Sequence, residues 1–173
     1  TPQVATFPST GDTTISYEGD GSSGFYAWGA QLNRGPTALP YVPTTTAAVY
    51  LPALHVHGGG TSNTENMLLQ SEDFSTTWSP SNATVSANAL VAPDGSLTAD
   101  AIVEDGTDNV HRISQGSISY ISGNTYAMSV WAKAGIRDYI QLTHGSTRFP
   151  SNAEGVFNLS TGAVHSTGAG AVS

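Results

Sequence analysis

The chain has 173 residues, no cysteine and a net charge of −8 from five basic and 13 acidic side chains. The lack of cysteine excludes a disulfide framework and a thiolate zinc site, and the acidic balance without any Lys/Arg cluster argues against binding to nucleic acid. With 19 glycines, 10% charged residues and no apolar run near the ~20 residues of a membrane span, the composition favours a strand-and-turn protein.

The first fifty residues contain two predicted strands. Residues 12–17 alternate between apolar and polar side chains, and after a turn rich in Gly, Ser and Asp the segment FYAWGAQL predicts a second strand. Regular alternation places four of its residues on one face: Tyr26, Trp28, Ala30 and Leu32. Three prolines then indicate extended coil, and the stretch 51–64, which contains GGG, is predicted to be a linker.

After the linker, short strand candidates recur and are separated by turn signals such as Pro93-Asp-Gly. Residues 71–74 are compatible with one helical turn or with a strand end. The predicted strands are 84–91, 97–104, 109–115, 117–121, 125–134, 137–144, 154–159 and 163–166. No segment keeps a helical period for three turns, so we predict an all-β fold, an antiparallel β-sandwich of the jelly-roll type.

The candidate ligand site lies on a hairpin predicted over 125–144. If its apolar residues face the core, register places five others together on the opposite face: Trp131, Lys133, Arg137, Tyr139 and Gln141. Aromatic rings stack on the apolar faces of sugars, while the polar side chains bond to hydroxyl groups, so this face is a candidate glycan platform. The alternative is that it contacts a second sheet or another subunit.

Other chemistry-bearing residues give weaker patterns. His55 and His57 lie on one side of an extended segment, but further metal ligands are not evident, so we predict no metal site. Asp12, Glu18 and Asp20 surround a turn, which explains them without a cofactor; a structural calcium ion is the alternative kept open.

Catalytic patterns are also weak. The sequence has no nucleophile elbow, and its acids mostly occupy turns, so we predict that the chain is not an enzyme. Trp28 and Trp78 have apolar neighbours and are predicted to be core residues.

Five motifs carry a resemblance: WGAQL, YVPTT, APDGSLTAD, SVWAKAG and FNLSTG. Together they resemble a family of phage tail- and fibre-associated jelly-roll repeats, which are similar to carbohydrate-binding modules and concanavalin-like sandwiches. Residues 1–50 are similar to the closing third of such a repeat, and 65–173 to its opening two-thirds. The family's usual segment between these parts, centred on Gly-Trp-Tyr-Arg, is absent.

This reversed order allows two interpretations. Either the chain is part of a tandem array with both ends inside repeats, or 1–50 completes the sandwich begun by 65–173, within one chain or from a neighbouring subunit. Because an unpaired sheet edge promotes association, we expect completion, with strands from 12–32 pairing with strands from 65–173 or from another copy.

The resemblance implies a structural protein of a phage virion, located in a fibre, tail or capsid-surface appendage on the outside of the particle. It implies a role in host adhesion through surface glycan, with other virion proteins as partners and a homo-oligomeric state. We expect no contact with nucleic acid and no membrane insertion. The alternatives are a non-binding scaffold or capsid decoration domain, and an accessory carbohydrate-binding module of a polysaccharide-degrading enzyme.

Overall fold

The computed structural model describes residues 3–9, 16–50, 65–145 and 153–168, and all of its regular elements are strands. The all-β class predicted from the sequence is therefore confirmed for these residues. The strands are β1 (Gln3–Ser9), β2 (Ser16–Glu18), β3 (Gly24–Arg34), β4 (Val49–Tyr50), β5 (Glu65–Asn66), β6 (Ser79–Ser81), β7 (Ala83–Leu90), β8 (Ala99–Glu104), β9 (Asp108–Val110), β10 (Arg112–Gln115), β11 (Tyr126–Ala134), β12 (Tyr139–Gly145), β13 (Ala153–Asn158) and β14 (Val164–Thr167).

Two larger antiparallel sheets enclose the main core. One has six strands in the order β14-β13-β12-β1-β10-β6, and the other has four in the order β11-β3-β8-β7. Phe25 and Ile102 of the four-stranded sheet pack in one buried cluster with Ile113 and Ile140 of the six-stranded sheet. Two short pairs, β2-β9 and β4-β5, complete the described strands. Since both sheets bury one face in a shared cluster, the architecture is sandwich-like.

The N-terminal strands occupy interior positions in both large sheets. β1 lies between β10 and β12, and β3 lies between β11 and β8. β2 pairs with β9. The expected pairing of strands from 12–32 with strands from 65–173 is therefore present within one chain. The assignment of these two parts to successive repeats remains a prediction.

Most predicted strands are present, with two differences. The predicted strand 109–115 is divided at His111, whose buried ring contacts the carbonyl oxygens of Asn82 (2.7 Å) and Tyr17 (3.1 Å) instead of continuing the ladder. The segment 117–121 forms no strand.

Three other expectations fall on irregular or undescribed segments. Residues 71–74 form bends and turns, so they are neither a helical turn nor a strand end. The predicted linker 51–64, with His55 and His57, lies outside the described residues, and so does Asp12.

The hairpin predicted over 125–144 is wrong. β11 pairs with β3 in the four-stranded sheet, whereas β12 pairs with β1 and β13 in the six-stranded sheet. The connection between them crosses from one sheet to the other and is held by the Arg137 amide, which donates to the Gly24 carbonyl (3.1 Å). Val130 and Ile140 do contact the same core, but they approach it from opposite sheets.

Strand β3 changes its face at Gly29, which has a φ of +64°. Trp28 lies opposite Trp131 and Gln31 lies opposite Ser129, so two residues of β3 face one residue of β11. This is a β-bulge, and the extra residue reverses the alternation. Tyr26 and Trp28 consequently point to the outside of the sheet, whereas the following Ala30 and Leu32 point into the core. The prediction that these four residues share one face is wrong for this reason.

Candidate functional site

The five residues predicted to form one platform lie in three places. Trp131 and Lys133 are on β11, Arg137 is in the connection after it, and Tyr139 and Gln141 are on β12 in the other sheet. Only Trp131 and Lys133, two positions apart on one strand, share a surface. The prediction that all five form one platform is therefore wrong, because it depended on a hairpin that does not form.

Two of the separated residues have structural partners. The Arg137 guanidinium pairs with the buried Glu104 carboxylate (Nε to Oε2, 2.9 Å) and covers the Tyr17 ring at 5.0 Å. Gln141 is buried, and its Nε2 donates to Glu154 (2.9 Å). These contacts account for the positions of the Arg137 and Gln141 side chains without a ligand.

Tyr139 is half-buried on the six-stranded sheet. Its ring meets the His165 ring edge to face, with centroids 5.2 Å apart. This contact places Tyr139 in the layer of the larger sheet, away from the two residues on β11.

The outer face of the four-stranded sheet carries a groove of about 200 Å³. Its floor and walls come from β3, β8 and β11, from the end of β7 and from the segment that follows it. The main side chains that line it are Tyr26, Trp28, Leu90, Val91, Pro93, Ala99, Trp131 and Lys133. The lining is mostly apolar and aromatic with few polar groups, as is usual for small-ligand sites.

Trp28 forms a fixed part of this groove. Its side chain is 6% exposed, and its indole Nε1 donates to Thr98 Oγ1 (3.1 Å). The Tyr41 ring packs against it with centroids 4.8 Å apart, and Ala92 and Ala99 complete a small second core cluster. Because the indole is both packed and hydrogen-bonded, it holds one orientation.

Trp131 presents the exposed ring of the groove. It lies opposite Trp28 across the β3–β11 pair and is 55% exposed. Its Cδ1 is within 3.1 Å of where a Cβ on Gly29 would lie, so the absence of a side chain at the bulge lets the indole approach β3 closely. The bulge therefore creates the pair of one covered and one exposed tryptophan.

Lys133 supplies the positive charge of the groove. It is the single lysine of the chain, it is exposed, and it lies opposite Tyr26. Lys133 forms no ion pair with any residue that the structure describes. Its ammonium group is therefore available to an acceptor from solution.

The Tyr41 ring that packs against Trp28 has polar partners of its own. The Tyr41 hydroxyl donates to Glu72 Oε1 (2.9 Å) and contacts Ser71 Oγ (2.7 Å). Burial, together with the nearby carboxylates of Glu72 and Asp94, raises the pKa of Tyr41 well above its ordinary value. Tyr41 therefore supports Trp28 from outside the groove lining.

The groove lining contains neither carboxylate nor histidine. Within the described ranges, no group of three His, Asp or Glu side chains is placed to hold a metal ion. The Asp20 carboxylate, one of the acids considered for calcium, accepts hydrogen bonds from Ser22 and Ser23, which lower its pKa and complete a turn. The arrangement suits binding of a ligand by stacking and hydrogen bonds.

Tyr26 and Trp28 line the groove but were not predicted from the sequence to belong to a site. Trp28 was correctly predicted to be buried, as was Trp78, but its burial is in the second cluster beneath the groove. The available signal was Gly29 inside a strand pattern, because an isolated glycine there indicates a bulge. A bulge at this position predicts that Tyr26 and Trp28 lie on the opposite face from Ala30 and Leu32, but it does not identify β11 as the neighbouring strand.

No helix that could cross a membrane is found in the part of the chain that the structure describes. A comparison of the chain with protein-family models, with curated proteins and with solved structures finds no match in any of the three.

Proposed function

We propose that this chain is a non-enzymatic carbohydrate-binding domain whose ligand lies in the groove on the four-stranded sheet. The observation that carries the proposal is the exposed Trp131 ring beside the buried Trp28, with an unpaired lysine two positions away on the same strand. Exposed Trp131 and exposed Val91 both line this apolar groove, and contiguous exposed apolar surface of this kind marks ligand-binding grooves and protein contact sites.

Binding would use the two kinds of group that the groove offers. The apolar face of a sugar ring stacks on Trp131, whose position is supported from β3 by Trp28. The Tyr26 hydroxyl and the Lys133 ammonium then supply hydrogen bonds to ring substituents. A shallow site of this kind gives weak affinity for each copy, which several copies in an oligomer would multiply.

The biological setting that we propose follows from the motifs. Their resemblance to phage tail- and fibre-associated repeats supports a jelly-roll domain on a virion surface, in a fibre, tail or capsid appendage, acting in host adhesion. In this setting 1–50 and 65–173 derive from successive repeats and complete one another. The interior positions of β1 and β3 support the last point.

The test is a glycan array with neutral and acidic saccharides, probed with the wild type and with Trp131→Ala. We expect the wild type to retain a limited set of glycans and the variant to lose them. Ile121→Ala is the matched control, since Ile121 is 56% exposed and does not line the groove. If Trp131→Ala binds the same glycans as the wild type, the ligand does not lie in the groove.

One alternative is supported by the same exposed ring. Exposed tryptophans are common at the centre of protein contacts, so Trp131 with the exposed Val91 could bind another virion protein in a scaffold or decoration domain. If the wild type binds no glycan on the array, this alternative is favoured. An accessory module of a polysaccharide-degrading enzyme would use the groove in the same way, and only the attached chain would differ.

A further inference from the structure

We infer that the ligand of the groove is an acidic saccharide, with one carboxylate bound by Lys133. The inference rests on the proposed carbohydrate-binding function and specifies the class of its ligand.

Lys133 differs from the other basic residues that the structure describes. The Arg34 guanidinium pairs with Glu65 and that of Arg137 pairs with Glu104. Arg112 lies on β10 in the six-stranded sheet. Among the described residues, Lys133 is therefore the positive charge on the outer face of the four-stranded sheet that remains for a ligand, in a chain with a net charge of −8. Its placement at an aromatic groove suits a carboxylate on a ring-shaped ligand.

The spacing of Trp131 and Lys133 along β11 also favours an acidic saccharide. Trp131 and Lys133 are two residues apart on the same face, so their Cα atoms are separated by about 7 Å. A carboxylate attached to a sugar ring, or to the next ring, lies within this distance of the ring centre. One saccharide can therefore stack on Trp131 and place its carboxylate at Lys133 without leaving the strand direction.

The experiment measures calorimetric affinities for the acidic glycan that the array retains best and for the same glycan with its carboxylates reduced to alcohols. We expect the acidic form to bind about fivefold more tightly to the wild type. Lys133→Gln should remove this difference, whereas Arg112→Gln, which makes the same change of net charge on the other sheet, should preserve it.

The two proposals can fail separately. The acidic ligand is wrong if the array retains only neutral glycans, or if Lys133→Gln binds the acidic and reduced forms as the wild type does. In either case the carbohydrate-binding function stands, provided that Trp131→Ala still abolishes binding. If no glycan is retained, the function itself fails, and this inference fails with it.

Discussion

Trp28 and Trp131 lie directly opposite each other on neighbouring strands, yet Trp28 is 6% exposed and Trp131 is 55% exposed. The difference arises because Tyr41, Ala92 and Ala99 cover Trp28, while Trp131 is on β11 at the edge of its sheet. Trp28 is therefore a packed part of the groove wall, whereas Trp131 is the ring that a ligand can contact.

Alanine substitutions should separate these two roles. Trp28→Ala removes a packed, hydrogen-bonded ring and should lower the free energy of unfolding by about 3–5 kcal/mol. Trp131→Ala should lower it by about 1 kcal/mol or less, because the ring is largely in water. Denaturant unfolding followed by circular dichroism measures both. Equal losses for the two variants would contradict this separation of roles.

The bulge can be tested at Gly29. Gly29→Ala puts a side chain on a left-handed backbone conformation and brings a Cβ within 3.1 Å of Trp131 Cδ1. We expect a loss of about 1–2 kcal/mol in unfolding free energy and weaker glycan binding, since the Trp131 ring must shift. Gly95→Ala is the control: its φ is also positive (+89°), but nothing lies within 4 Å of the added Cβ. A Gly29→Ala protein that keeps wild-type affinity would show that the groove does not depend on the bulge.

Acid should weaken the fold through Glu104. Burial alone would raise the pKa of this carboxyl, but hydrogen bonds from Arg137, Tyr17 and the Asp20 amide outweigh it and lower the pKa. Since the folded-state pKa is below the unfolded value of about 4.3, the stabilisation is present above that pH and is lost as the pH falls through the folded value.

Glu104→Gln measures this contribution. This substitution should lower the free energy of unfolding by about 3 kcal/mol at pH 7, because it leaves Arg137 without its partner. The difference in unfolding free energy between the variant and the wild type should become smaller as the pH falls. Glu18→Gln, at an exposed position, is the comparison. If the difference in unfolding free energy between Glu104→Gln and the wild type stays constant from pH 7 to below pH 4, Glu104 is not a source of the acid dependence.

Asn66 holds the chain after β5 against β3 and the extended segment near Val42. Its buried amide accepts hydrogen bonds from the Leu32 and Leu68 amides and donates to the Ala30 and Val42 carbonyls, all within 3.2 Å. Asn66→Ala leaves these four buried backbone groups without that partner.

At about 1 kcal/mol or more for each group, the loss should reach at least about 4 kcal/mol. Thermal unfolding of Asn66→Ala beside Asn124→Ala, an exposed loop position, gives the comparison. Similar midpoints for the two proteins would mean that water or backbone movement satisfies the buried groups.

Strand positions were largely predictable because alternation is a local property. Residues 126–134 and 153–158, for example, lie where the pattern placed strands. The same locality explains why Trp131 and Lys133 were correctly placed on one face: residues two apart on a regular strand must share it.

Strand partners were not predictable in the same way. Alternation gives the face of a residue but not the sheet to which its strand belongs, so a crossing between sheets after Ala134 had the same pattern as a hairpin. The separation of Arg137, Tyr139 and Gln141 from the groove follows from this. Gly29 reversed the face of β3 without any change in the apolar pattern around it.

The interior places of β1 and β3 also determine when the sheets can form. Val4 lies opposite His144, and Phe25 lies opposite Ala134, so β1 and β3 each have one neighbour that lies far along the chain. Such distant pairing raises contact order and slows folding. During synthesis, both sheets must wait for β11 and β12 before their central strands are enclosed, and until then the edges of β1 and β3 are open to pairing with a neighbouring nascent chain.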